Sequence, residues 1–139
     1  MYPIQDIILS AMGFVGDIMK YFIIFLTGGT AYNIAEYLWC GYSHWTMAID
    51  GGICLLGIYF IATGTDLNFI YKVICSAGLI TSVELISGII INKILHWGVW
   101  DYSGLPMNFL GQICLRYTLL WAALCIPLVA LIVLISEIV

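Results

Sequence analysis

The sequence predicts an all-α integral membrane protein: four transmembrane helices as two duplicated hairpins, preceded by an N-terminal interfacial amphipathic helix. Three observations carry that prediction. Of the 139 residues, 63% are hydrophobic and only 9% are charged, whereas a water-soluble domain carries roughly 25% charged residues. Mean hydropathy is +1.09, so lipid must solvate most of the surface. Finally, one set of words occurs twice in the same order: Glu36, His44-Trp45 and "GGICL" at 51–55, then Glu84, His96-Trp97 and "GQICL" at 111–115.

The first element is predicted over residues 1–19. Pro3 suits a helix start. Ile4, Ile7, Ile8, Ala11, Met12, Val15 and Ile18 form a stripe of helical period, with Gln5, Asp6, Ser10 and Asp17 off it. This segment is too polar to span and reads as a helix lying along the membrane or packing under the bundle. It lacks a basic leader region and carries Asp6 and Asp17, so no cleavable signal peptide is expected.

Residues 20–139 then form the four-helix transmembrane bundle. Its spans are expected at about 20–40, 46–63, 70–95 and 112–136, each near the roughly 20 residues a bilayer core requires. Tyr42, Trp45, Trp97, Trp100 and Tyr102 fall at span ends, as an aromatic belt does. Backbone polar groups in lipid must be satisfied within the segment, which makes the spans helices. The third connection is the longest and carries Gly104 and Pro106, so it reads as a structured turn. If each half contributes two spans, both enter the membrane from one side, and the duplication implies a parallel repeat about an axis along the membrane normal. Glu36 and Glu84 then become counterparts facing that axis.

Charge sets further bounds. The four basic residues are Lys20, Lys72, Lys93 and Arg116, and net charge is −4. No basic run exists, so neither nucleic acid nor a polybasic grip on anionic lipid heads is expected. The positive-inside rule gives a slight preference for N-in and C-in, Lys20 and Lys72 against Lys93, which Arg116 weakens. The five cysteines, Cys40, Cys54, Cys75, Cys114 and Cys125, show no CxxC spacing and read as free thiols. No metal-site spacing and no nucleophile elbow occur, and the sequence leaves any cofactor unknown.

The candidate ligand or pathway residues are Glu36, His44, Asp50, Glu84, His96, Asp101, Asn108 and Arg116. An acidic group at a helix centre costs about 2.5–3.5 kcal/mol on insertion scales, and such groups usually face a bundle interior or water. Glu84 falls near the middle of the third span. Its possible partners include Lys93, Arg116, His44, His96 and a tyrosine hydroxyl. Bonded to one of these, it would fix helix register with no chemistry. Asp101, Tyr102 and Ser103 can form a polar turn, and Asn108 could help cap the fourth helix. The same insert also reads as a loop plug over the bundle. Gly28-Gly29, Gly51-Gly52 and Gly57 would let helices approach closely.

The stretches "YNIAEYLWCGYSHWTMAIDGGICL" at 32–55 and "ELISGIIINKILHWGVWDYSGLPMNFLGQICLRYTLLW" at 84–121 resemble a family of small multi-span proteins of Firmicutes labelled "putative ABC-transporter permease, type IV". "WDYSGLPMNFLGQICL" is the most specific part. Glu36, His44, Trp45, Glu84, Trp100, Asp101, Tyr102, Asn108, Gly111 and Gln112 match the family pattern, while Cys40 stands where a basic residue is expected. The resemblance implies the bacterial cytoplasmic membrane and transport.

Three readings follow. The first is a permease or channel-like transport subunit with acidic residues lining the bundle interior, working as a homo-oligomer or within a larger membrane complex among membrane lipids. Its connections of about five residues leave little room for an ATPase partner. The second is a structural or regulatory membrane subunit. The third is a lipid-acting enzyme that would gather Glu84, His96 and Asp101 in one cleft.

Overall fold

The structure is a computed structural model and describes residues 4–138. Pro3 lies outside the described residues. Four helices dominate: α1 Ile4–Cys40, α2 Trp45–Gly64, α3 Phe69–Gly88 and α4 Leu115–Ile138. All four, the third extended to Ile94, are long and apolar enough to cross a membrane. They alternate in direction. The turn at 41–44 and the segment 95–114 therefore share one end of the bundle, here the loop end. The start of α1, the turn at 65–68 and the end of α4 share the other, the terminal end.

The expected division between an N-terminal helix and a first span is absent from the backbone, since α1 runs unbroken through residues 19 and 20. No proline interrupts it there, and Met19 and Lys20 are good helix formers. At 37 residues α1 is about 55 Å long, against a hydrocarbon core of about 30 Å. Its residues 4–20 are exposed throughout.

Small residues set the packing of α1 on α2. A Cβ on Gly28 would run into the carbonyl oxygen of Gly51 and the side chain of Leu55, and one on Gly29 into the carbonyl oxygen of Ala48. Hydrophobic burial gives little drive between helices in lipid, so close backbone approach and dispersion do the work. His44 starts α2 with Nδ1 accepting from the Thr46 N–H, and Asn68 starts α3 by accepting from Tyr71 at 3.1 Å. Helix α2 packs against the other three helices. Towards the terminal end, Ile58 and Ala62 of α2 meet Val73 of α3 and Cys125 and Val129 of α4 in a dry core.

Past Gly88 the third helix widens into a π-helical turn, Ile89–Ile94. The chain then forms a compact loop closed by a two-residue hairpin, β1 Asn108–Phe109 against antiparallel β2 Ile113–Cys114. The fourth helix therefore starts at Leu115, three residues later than the sequence suggests, because Gly111 turns with φ +69° and Ile113 and Cys114 pair as a strand. The two repeated words consequently differ in conformation: "GGICL" is helical within α2, and "GQICL" runs through the hairpin.

Candidate functional site

The loop half of the bundle holds what the dry half lacks. A small cavity of about 30 Å³ is lined by Glu36 and Tyr32 of α1, Asp50 and Cys54 of α2, Glu84 of α3, Trp121 of α4, and Trp100 and Tyr102 of the loop. That volume holds about two waters. Each carboxylate arrives from a different helix, so the cavity sits where α1, α2 and α3 converge.

Glu84 is the most enclosed, with 8% of its surface exposed. Both oxygens have donors: the Tyr102 hydroxyl at 2.9 Å to Oε1 and the Trp121 indole N–H at 3.3 Å to Oε2. Glu36 Oε2 accepts from the Ser43 hydroxyl, which also lies 3.0 Å from Asn33 Oδ1. Tyr32 and Trp121 meet with ring centroids 5.9 Å apart, joining α1 to α4 across the cavity. Among the described residues the one ion pair is Lys20–Asp17 at 3.6 Å, towards the terminal end. Among the described residues no lysine or arginine forms an ion pair with the three carboxylates.

The loop that covers this cavity is held by its own polar side chains. Gln112, 1% exposed, accepts from Asn92 Nδ2 at 2.8 Å and donates to the Leu110 carbonyl at 3.2 Å. Asn92 Oδ1 accepts the Val99 N–H at 2.7 Å, and the Trp100 indole donates to the Gln112 carbonyl at 3.0 Å. These groups close on Gly88, where an added Cβ would come within 2.6 Å of Gln112 Oε1. Asn108 donates to the Ser103 and Leu105 carbonyls and accepts from the Gly111 N–H at 3.0 Å. Its role is thus inside the loop, making three turn-forming bonds where the hairpin starts, and it does not cap α4. An Asp101 oxygen accepts the Ser103 N–H at 2.9 Å, and that bond holds its carboxyl below the ordinary value. The loop aims Tyr102 inward. Burial pushes its phenol well above the ordinary range, and the neighbouring Glu84 adds to the effect.

The expected site residues separate into two groups. The structure brings Glu36, Asp50 and Glu84 together around the cavity. His44 caps α2 and lies 5.8 Å from the ring of Trp97, which itself lies 5.9 Å from Trp45. The two His-Trp words therefore meet through their aromatic rings. His96, Asp101 and Arg116 are exposed and do not line the cavity. Arg116 lies 5.9 Å from the neighbouring Tyr117 ring. The lipid-acting cleft of Glu84, His96 and Asp101 is therefore not assembled. The aromatic lining residues Tyr32, Trp100, Tyr102 and Trp121 were not among the candidates. Trp100 and Tyr102 do match the family pattern, and a tyrosine hydroxyl is one of the partners expected for Glu84, a place Tyr102 takes.

The family model described as "Putative ABC-transporter type IV" matches residues 56–139. That stretch includes α3, the covering loop and α4. No curated protein and no solved structure matches the chain.

Proposed function

The chain belongs to the family described as "Putative ABC-transporter type IV", and from that premise we propose that it is a channel-like transport subunit whose acidic cavity exchanges protons. It is a multi-span membrane protein; the bacterial cytoplasmic membrane is the location this reading assigns. One observation carries the proposal: three carboxylates from three helices surround a water-sized cavity with no cationic partner among the described residues. Ionisable groups kept inside a membrane bundle mark relays and pathways by default. The cavity's size selects the cargo. Room for about two waters suits a proton relay and excludes an organic solute unless the loop moves. No group of three ligating side chains among the described residues fits a metal ion.

Four helices with a dry half leave a narrow pathway, so the working unit in this reading is an oligomer or a larger membrane complex. The turns at 41–44 and 65–68 have four residues each and leave little room for an ATPase partner; the segment 95–114 is the longer connection.

A second reading has its own support. Tyr102 and Trp121 both donate to Glu84, which is how a buried carboxylate would serve as internal glue for a structural subunit. Paired roles as counterparts in a duplicated bundle fit either reading, since Glu36 and Glu84 line one cavity. Proteoliposomes loaded with a pH-sensitive dye distinguish the two. The transport reading expects acidification under an imposed gradient that Glu84→Gln abolishes while the variant stays folded. Equal, background-level dye responses in wild type and variant would establish the structural role instead.

A further inference from the structure

We propose that this chain inserts into the membrane in both orientations, so that inverted copies coexist in one bilayer. The inference rests on where the structure puts its cations and does not depend on what the cavity carries.

The orientation of a multi-span protein is set by lysine and arginine in short connections and near span ends, with acidic residues contributing little. This sequence has four such residues. Lys20 is at the terminal end, its Nζ 4.8 Å from the Tyr21 ring and 5.7 Å from the Tyr59 ring of α2. Lys72 is at the same end, donating to the Ala62 carbonyl at 2.6 Å near the close of α2. Lys93 is at the loop end, exposed in the π-helical turn. Arg116 is also at the loop end, exposed on the first turn of α4.

With Arg116, which weakens the sequence preference, placed at the loop end, the count is two against two. Every connection is short, so each of these charges weighs in the balance. Both termini of the described chain lie at the terminal end, so one decision orients the whole bundle. With no charge difference between the two ends, neither orientation is favoured. Inverted pairs of a small bundle would recreate, between two copies, the inverted symmetry that other transporters carry within one chain.

The test fuses the full chain at its C-terminus to alkaline phosphatase, active only outside the cytoplasm, or to a green fluorescent protein, fluorescent only inside. Signals are normalised to the amount of protein. The proposal expects both reporters to be active in wild type, at levels within several-fold of each other. It also expects an added cation to tip the balance several-fold. Asp66→Lys, in the exposed turn at the terminal end, should draw the termini inside. Tyr42→Lys, exposed at the loop end, should send them outside. One reporter silent in wild type would overturn the proposal, as would a wild-type ratio that neither substitution moves. Proton exchange by the cavity is read separately, so either result leaves that question distinguishable.

Discussion

The two halves of the bundle are built from the same helices and differ in what fills them. Towards the terminal end, Ile58, Ala62, Val73, Cys125 and Val129 close against one another with no ionisable side chain in the cluster. Towards the loop end, Glu36 of α1, Asp50 of α2 and Glu84 of α3 surround a cavity under a folded loop. The contrast teaches where free energy is committed. Dispersion in the dry half holds the helices together. The polar half carries the cost of three membrane-embedded carboxylates and a dense set of hydrogen bonds that compensates it.

The largest expected effect tests whether close helix approach holds both halves in one piece. Gly28→Leu sets a side chain against the Gly51 backbone, with no flexible neighbour to yield. It should cost at least about 3 kcal/mol, the upper part of the overpacking range, and thermal unfolding in mild detergent should show little folded protein. A normal melting temperature would disprove the packing account.

Next come the two halves in turn. Gln112→Ala in the loop leaves Asn92 without its acceptor and should cost about 2 kcal/mol, the penalty for a buried group left unsatisfied. Exchange of loop amides should accelerate while those of α2 stay protected. Ile58→Ala in the dry half should cost a similar amount, about 2 kcal/mol, through the cavity it opens, yet leave proton uptake unchanged. If Ile58→Ala altered uptake as much as Glu84→Gln does, the two halves would not be functionally distinct.

Two smaller effects sharpen the comparison at the loop. Tyr102→Phe removes the donor to Glu84 Oε1 and should cost about 1 kcal/mol, the typical net worth of an intramolecular hydrogen bond. Burial holds the Tyr102 phenol above its ordinary 10.0, so the folded protein keeps that proton where the unfolded chain releases it. Stability should fall as pH rises above about 10, and the variant should show a shallower decline. Asp101 has the opposite sign. Its carboxyl is held below the ordinary 3.8 by the Ser103 N–H, so its contribution is present above that pH and lost as pH falls below it. The effect is small because the group is fully exposed. Acid titration of Asp101→Asn should show a slightly flatter profile than wild type, and a steeper one would contradict the assignment.

Much of the fold was legible because lipid leaves few alternatives. Apolar runs of span length can only be helices, and their positions followed from composition and Trp/Tyr placement. The continuity of α1 was not legible. A helical stripe followed by an apolar run looks the same whether the backbone bends between them or not. The hairpin at 108–114 was also hidden, because "GQICL" reads as helix beside its helical twin "GGICL", and the left-handed backbone at Leu110 and Gly111 separates them. At the site, Glu36, Asp50 and Glu84 stood out as charges in greasy surroundings. Tyr32 and Trp121 did not, since aromatic residues in spans are ordinary and their roles depend on a contact across helices. Arg116 was a plausible partner for Glu84 by charge alone, but it starts α4 at the exposed rim, whereas Trp121 lies further into the helix and donates the hydrogen bond.

The central claim is that Glu84 exchanges protons with bulk water through the cavity. Infrared difference spectroscopy of the reconstituted protein, stepped in pH, reads that carboxyl directly. The account predicts a carboxyl band that appears and disappears reversibly with bulk pH in wild type and is missing in Glu84→Gln. A wild-type spectrum with no such band at any pH, alongside an intact fold, would mean that Glu84 is sealed from water and that the cavity is internal structure.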